Sequence, residues 1–347
     1  MWPAVPMTMG WISMLALMLT SRRGRGPTPH PCPMTQTEVR FRTLRPWLLK
    51  TFGRPVHRIA LDAGSSCPNR DGTLGRGGCT YCDVEGSGTG ALKNGLELEE
   101  QVEKGLKRVA RRGPGFGVIA YFQSYSNTYV SPERLREVLG VVEPYLGNPL
   151  VCVAVATRPD TLEDWALEEL ARINRRVPVW VEMGLESADD RVLLDLNRLH
   201  TVADFETAAA RARAAGLGVV GHAILGLPGD GRVGARRTAE VLARSGCLGV
   251  KVHHLMILKR TALARMWAAG RVETLDPTTY VTWLADFVET LHPDQILHRL
   301  TGDSPAEKLL APQWGIHKNE IRERLNDELQ RRGTRQGCLG AFSGQTR

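Results

Sequence analysis

Three cysteines sit close together in the stretch Ser66-Cys67-Pro-Asn-Arg-Asp-Gly-Thr-Leu-Gly-Arg-Gly-Gly-Cys79-Thr-Tyr-Cys82, spaced by eleven and then two residues. Thiolates are soft ligands, so this spacing points first to metal chemistry. Structural zinc takes four ligands, usually from two Cys-x-x-Cys pairs, and this stretch holds one such pair. Three cysteines suit instead a cubane iron–sulfur cluster that leaves one iron free for a non-protein ligand. Gly72, Gly75, Gly77 and Gly78 let the loop bend tightly and aim amide N–H groups at sulfur. A zinc site completed by Cys32 or another cysteine stays open on ligand count. A disulfide framework does not fit, because seven cysteines are an odd set and the N-terminus does not read as a secretory signal. Cys152 and Cys247 lie in or beside apolar runs and are expected as small buried side chains, and Cys338 in the polar tail has no expected role.

Positioning such a loop falls to the elements around it. Short β-branched runs occur at 56–63, 117–123, 150–156, 177–184, 217–225 and 248–258, with amphipathic stretches between them. The stretch 96–112 opens on Glu97, Glu99 and Glu100 and closes on Lys107, Arg108, Arg111 and Arg112, as the helix dipole favours. Ser131-Pro132 starts a helix, and Thr161 to Asp164 and Thr201 to Asp204 have capping-box form. Six strand–helix units predict a parallel sheet with helices outside, an open partial (β/α)6 barrel. In such folds function gathers on the loops after the strands, which is where Cys67, Cys79 and Cys82 fall. The segments 276–291 and 318–331 read as extra helices.

The 347-residue chain is 42% hydrophobic and 24% charged, which excludes disordered, collagenous and disulfide-knot classes. Past residue 30 no apolar stretch is long enough to span a bilayer, so a polytopic membrane protein is excluded as well. The formal charge of +8 is localised: residues 1–60 carry nine Lys/Arg against one acid, and 36 basic residues balance 36 acidic ones beyond. Such an arm is a solvated extension or a contact for RNA or phosphate. Residues 7–20 are apolar and precede Arg22, Arg23 and Arg25, which inverts the order of a secretory signal. They read as an upstream extension of the reading frame, with a single anchor as the alternative, and Met34 as the natural start of the folded chain. The expected organisation is therefore a non-core extension at 1–33, a barrel core at 34–275, a helical extension at 276–332 and a disordered tail at 333–347.

The cysteine stretch resembles the radical S-adenosylmethionine (SAM) superfamily, and more narrowly a bacterial group related to the Elongator Elp3 radical SAM domain. The first gap of eleven residues matches that narrower group, whereas the superfamily pattern spaces its cysteines by three and two. The resemblance extends to Ala120-Tyr-Phe-Gln-Ser124, Thr157-Arg-Pro-Asp160, Gly184-Leu-Glu-Ser187, Asn197-Arg198, Gly226-Leu-Pro-Gly229, Lys251-Val-His-His254 and Arg299-Leu-Thr-Gly-Asp303. It implies that Cys67, Cys79 and Cys82 hold a [4Fe–4S] cluster whose fourth iron is chelated by SAM. A low-potential electron donor then drives cleavage of SAM to a 5′-deoxyadenosyl radical, which takes a hydrogen atom from the substrate.

The same resemblance places Tyr81 near the adenine, Glu186 on ribose or ammonium, and Arg198 on the SAM carboxylate through a paired, charge-assisted bond. His222 and Gly226 fall where the superfamily lines the adenine pocket. Many relatives end the second strand in Gly-Gly-Glu, whereas this chain reads Phe122-Gln123-Ser124, which leaves Gln123 or Ser124 to accept the SAM ammonium. Substrate contacts are expected among His253, His254, Lys259, Arg299 and Asp303. The expected protein is a cytoplasmic radical SAM enzyme acting on an unknown substrate, with RNA or another anionic molecule conceivable and a membrane site disfavoured. Tetrapyrrole chemistry of the coproporphyrinogen-oxidase type and a non-catalytic metal-containing nucleic-acid-binding module are the alternatives.

Overall fold

A computed structural model describes residues 40–83 and 88–340. The expected extension at 1–33, with its anchor alternative, lies outside the described residues. Among the described residues nine strands occur: β1 (Val56–Leu61), β2 (Gly117–Phe122), β3 (Leu150–Thr157), β4 (Val179–Glu186), β5 (Gly218–Leu225), β6 (Gly249–His254), β7 (Ile257–Leu258), β8 (Ile296–Arg299) and β9 (Leu309–Ala311). Seven of them form one sheet in the order β1-β2-β3-β4-β5-β6-β8, and every neighbouring pair is parallel. With helices between successive strands, this is the α/β partial barrel that the alternating pattern predicts. It has one strand more than the six apolar runs announce.

Burial follows from strand parity. All eight residues of β3 and of β4 are buried, as a parallel sheet covered on both faces requires. The outward set, among them Leu61, Phe122, Val155, Val181 and Leu225, packs on Val102, Leu139, Leu170, Leu242 and Phe287 of the surrounding helices. The inward set at the strand starts, Ile119, Cys152, Trp180 and Val220, packs on Leu48, with Trp47 against it. Leu48 and Trp47 belong to a helix, Leu44–Phe52, that stoppers the bottom of the barrel. Above this plug the inward positions turn polar.

Several boundaries differ from expectation for identifiable reasons. β8 lies inside the region expected to be helical, 276–332, which otherwise holds the helices Pro277–Thr290 and Lys318–Arg332. The Thr201/Asp204 capping box forms. The one expected at Thr161 does not, because the Thr161 hydroxyl is taken up by Ser126 at 2.7 Å and Thr157 at 3.0 Å. The next helix, Asp164–Asn174, has Glu163 at its N-cap position, with no side-chain capping hydrogen bond. The expected disordered tail is packed as far as 340. There Gln336 is buried and donates to the carbonyls of His292 and Gln295, both at 2.8 Å. Residues 341–347 lie outside the described residues. Among the described residues no helix is long and apolar enough to cross a membrane.

Candidate active site

The loop after β1 carries the thiols to the C-terminal end of the sheet. Cys67 caps a one-turn helix, Pro68–Asp71, that puts Asn69 and Arg70 beside the following turn. Gly77 and Gly78 take φ of 81° and 78°, the left-handed region, and a Cβ on Gly78 would lie 2.9 Å from Arg70 Nε. Arg70 donates to the carbonyls of Cys82, at 3.3 Å, and Asp83, which ties the end of the loop to its start. Cys67, Cys79 and Cys82 then line one cavity of about 580 Å³. The Cys79 sulfur accepts from Asn69 Nδ2 and from Arg198 Nη1, each at 3.6 Å. Burial, reinforced by Cys79, pushes the Cys82 thiol up to about 11 against the pull of Arg70. A metal must therefore displace its proton to bind.

Three soft donors on one cavity wall, one of them held by an amide and a guanidinium, fit an iron–sulfur cluster. Among the described residues no three His, Cys, Asp or Glu side chains gather tightly enough to share a single ion. Cys32 lies outside the described residues.

The facing wall comes from the end of β4. The β4–β5 register slips between Gly184 and Glu186, and Glu186 adopts φ 68°, which turns its carboxylate toward the cavity. A Cβ on Gly184 would meet Glu186 Oε1 at 2.1 Å and Arg198 Nη2 at 2.5 Å, so only glycine leaves room for the pair. Arg198 lies 3.7 Å from Glu186 and donates to the Gly184 carbonyl at 3.1 Å. Burial works against its charge, but Tyr81, Cys79 and Glu186 around it raise its pKa further. Among the described residues neither Arg198 Nε nor the Tyr81 hydroxyl, both buried, has a hydrogen-bond partner.

Other expected residues scatter. Gln123 lines the cavity, whereas the Ser124 hydroxyl is buried beside Gly88, where an added Cβ would sit 1.9 Å from it. Gly226 turns at φ 90° against Leu275, away from the cavity lining. His253, Arg299 and Asp303 line the cavity, and Lys259 is exposed outside it. His222 also lines it but faces downward, with Nε2 3.2 Å from Glu182.

Glu182 belongs to an inner polar layer that sequence reading missed. Its fully buried carboxylate pairs with Lys251, whose Nζ lies 4.2 Å from the Tyr121 ring centroid. Arg58 approaches the same ring at 4.9 Å. Burial opposes the charge of Glu182, but Lys251 and His222 hold it well below the usual carboxylate range. Arg158, also unforeseen, lines the cavity in a two-pronged bond to Asp160 at 2.7 and 2.9 Å.

His254 is held by stacking on Trp314, with ring centroids 4.2 Å apart, and its Nδ1 lies 2.8 Å from Thr301 Oγ1. Burial pushes its pKa down to about 4 from 6.5, with Asp303 opposing. Between those values the unfolded chain holds a proton that the native ring refuses, so stability falls as pH falls. This ring alone should remove about 1.5 kcal/mol between pH 6.5 and pH ~5. Urea unfolding at both pH values should show that increment in the parent and not in His254→Gln; equal slopes would reject a neutral His254.

Comparisons with known proteins agree with this geometry. Residues 69–242 match the family model of the Radical SAM superfamily, and residues 247–331 match that of the Radical_SAM C-terminal domain. The Bacillus subtilis protein YtqA is 37% identical over 308 residues, covering 89% of this chain and 95% of that protein. Escherichia coli YhcC is 33% identical over 296 residues, covering 84% and 93%. The archaeal Elp3 structure from Methanocaldococcus infernus is similar in fold, with a TM-score of 0.60 at 16% identity. That match covers 81% of this chain and 64% of the archaeal chain.

Proposed function

Because the chain belongs to the radical SAM superfamily, whose enzymes use a [4Fe–4S] cluster and SAM, we propose that Cys67, Cys79 and Cys82 are the cluster ligands and that the cavity above them takes SAM and a substrate. When bound, the two cofactors supply a 5′-deoxyadenosyl radical that takes a hydrogen atom from the substrate. Arg198 holds the SAM carboxylate through its guanidinium, and Glu186 accepts from the ribose or the ammonium. Tyr81 packs beside the adenine, and Gln123 takes the ammonium in place of the acidic residue common in relatives. Ser124 and Gly226 act behind this surface, as packing and turn residues. The observation that carries the reading is the convergence of three thiols with Arg198, Glu186 and Tyr81 on one cavity, where Arg198 Nε and the Tyr81 hydroxyl have no hydrogen-bond partner among the described residues.

The reading requires a low-potential electron donor as a partner. It also requires a reducing compartment, for which we propose the cytoplasm. Cys67, Cys79, Cys82, Cys152 and Cys247 are free thiols, in keeping with that setting.

The test is anaerobic reconstitution of the full chain with iron and sulfide, reduction with dithionite, addition of SAM and quantification of 5′-deoxyadenosine. The nucleoside should form only when reductant, cluster and SAM are all present. Stoichiometric zinc with no cluster would overturn the proposal.

A further inference from the structure

The seven-stranded sheet does not close, and between its edge strands β1 and β8 lies a second cavity, of about 930 Å³. The helix Leu44–Phe52 and the start of the helix Lys318–Arg332 contribute to its walls. Its lining carries Arg45, Arg58, Arg112, Arg299, Lys318 and Arg322 against a single acid, Asp303. That acid lies 3.8 Å from Lys318.

Arginines elsewhere on this chain find carboxylates: Arg136 with Glu169 at 2.6 Å, Arg211 with Asp164 at 2.6 Å, Arg244 with Glu206 at 2.7 Å and Arg324 with Glu320 at 2.6 Å. Among the described residues none of the five seam arginines makes an ion pair, and Arg58 Nε is buried without a hydrogen bond, its guanidinium lying 4.9 Å from the Tyr121 ring centroid. Two of the five, Arg45 and Arg58, belong to the basic excess of residues 1–60. Like charges crowded in a cleft raise the local potential and concentrate anions there. Guanidinium forks match phosphate oxygens two at a time. The same cavity offers flat apolar contact, since the His57 and Phe116 rings lie 4.7 Å apart on its wall and Leu49 is exposed there.

We propose that this seam is a binding site for a ligand carrying several phosphate groups, with an attached ring resting on His57 and Phe116. Arg58, Arg299 and Asp303 line both this cavity and the one that holds the thiols. A ligand held in the seam therefore lies against Arg58 and Arg299, which also wall the central cavity. That it is the substrate rests on the radical SAM reading; that it binds does not.

Two probes distinguish the sources of such phosphates: a fluorescent single-stranded hexanucleotide, and inorganic pyrophosphate as competitor. Both are used with the cluster-loaded full chain and without reductant. The hexanucleotide should bind with a log K against log salt slope of about −3, as four to five neutralised phosphates give. Arg45→Glu/Arg322→Glu should weaken binding at least about tenfold, one decade in K. Arg136→Glu, a reversal on the outer helix face, should not. Micromolar displacement by pyrophosphate identifies a small polyphosphate ligand; displacement only at millimolar levels identifies a nucleic-acid chain, and either supports the site.

Failure of the parent to bind either probe at low salt would overturn the proposal, as would undiminished binding by the double variant. Should charge reversal impair folding, Arg45→Gln/Arg322→Gln carries the same comparison with a smaller loss. An absence of 5′-deoxyadenosine in the separate cleavage assay would count against the radical reading and leave the binding result standing.

Discussion

Cys79→Ala should lower 5′-deoxyadenosine formation at least ~100-fold, since even the outer partners of a metal ligand are worth 10–100-fold. The Cys79 sulfur accepts from two donors, Asn69 and Arg198. On the proposed assignment its loss removes a cluster ligand and takes a hydrogen-bond partner from Arg198, so cluster and SAM site should fail together. Iron and sulfide content, visible absorbance and nucleoside yield should fall in step. Cys152→Ala is the matched control, a thiol fully buried on the inner face of β3 among apolar neighbours. It should keep cluster and activity at a modest cost in stability, because it removes one packed sulfur and no ligand. Near-parent nucleoside yield from Cys79→Ala would reject the ligand assignment.

The fold was legible where the chain repeats a local pattern. Six apolar runs with capped helices between them announce six strands, because strands buried on both faces need continuous Val, Ile and Leu. β8 escaped because it is four residues long and only Ile296 and Leu297 are apolar. His298 and Arg299 continue it, and both line the seam cavity, so the alternation that marks a strand is erased at the open edge. Thr161 misled for a related reason. Its spacing to Asp164 fits a capping box, but a tertiary network with Ser126, Thr128 and Thr157 claims the hydroxyl first.

For the site, legibility depended on distance along the chain. The cysteines fall within sixteen residues and could be read at once. Glu186 and Arg198 are twelve apart and were assigned through resemblance, since no periodicity shows that a bulge at Gly184 turns one toward the other. Arg58, Tyr121, Glu182 and Lys251 come from four strands, so nothing local unites them. A signal did exist: Arg58, Glu182 and Lys251 are charges set inside otherwise apolar runs. A charge in a buried strand must have a partner, and strand parity puts all three on the inner face.

Lys251→Met tests that layer, and it should destabilise the protein by about 3–5 kcal/mol, the cost of leaving a buried charge without its partner. Glu182 has no exposed side-chain surface, and without Lys251 the neutralisation of its charge would fall to His222 and the Arg58 guanidinium. Pairing the change with Glu182→Gln removes the stranded carboxylate, so the double variant should recover most of the loss. Denaturant unfolding of the four proteins of this cycle under anaerobic conditions measures the coupling directly. A Lys251→Met variant within about 1 kcal/mol of the parent would mean that Glu182 takes up a proton instead and that the pair is not ionised. A double variant as weak as the single one would place the cost in lost packing around Tyr121. A well-packed apolar pair of similar volume would cost the fold nothing by comparison. The ion pair therefore serves position rather than stability: it holds the Lys251 ammonium against Tyr121 and the Glu182 carboxylate under His222, all on the wall of the cavity that receives the thiols.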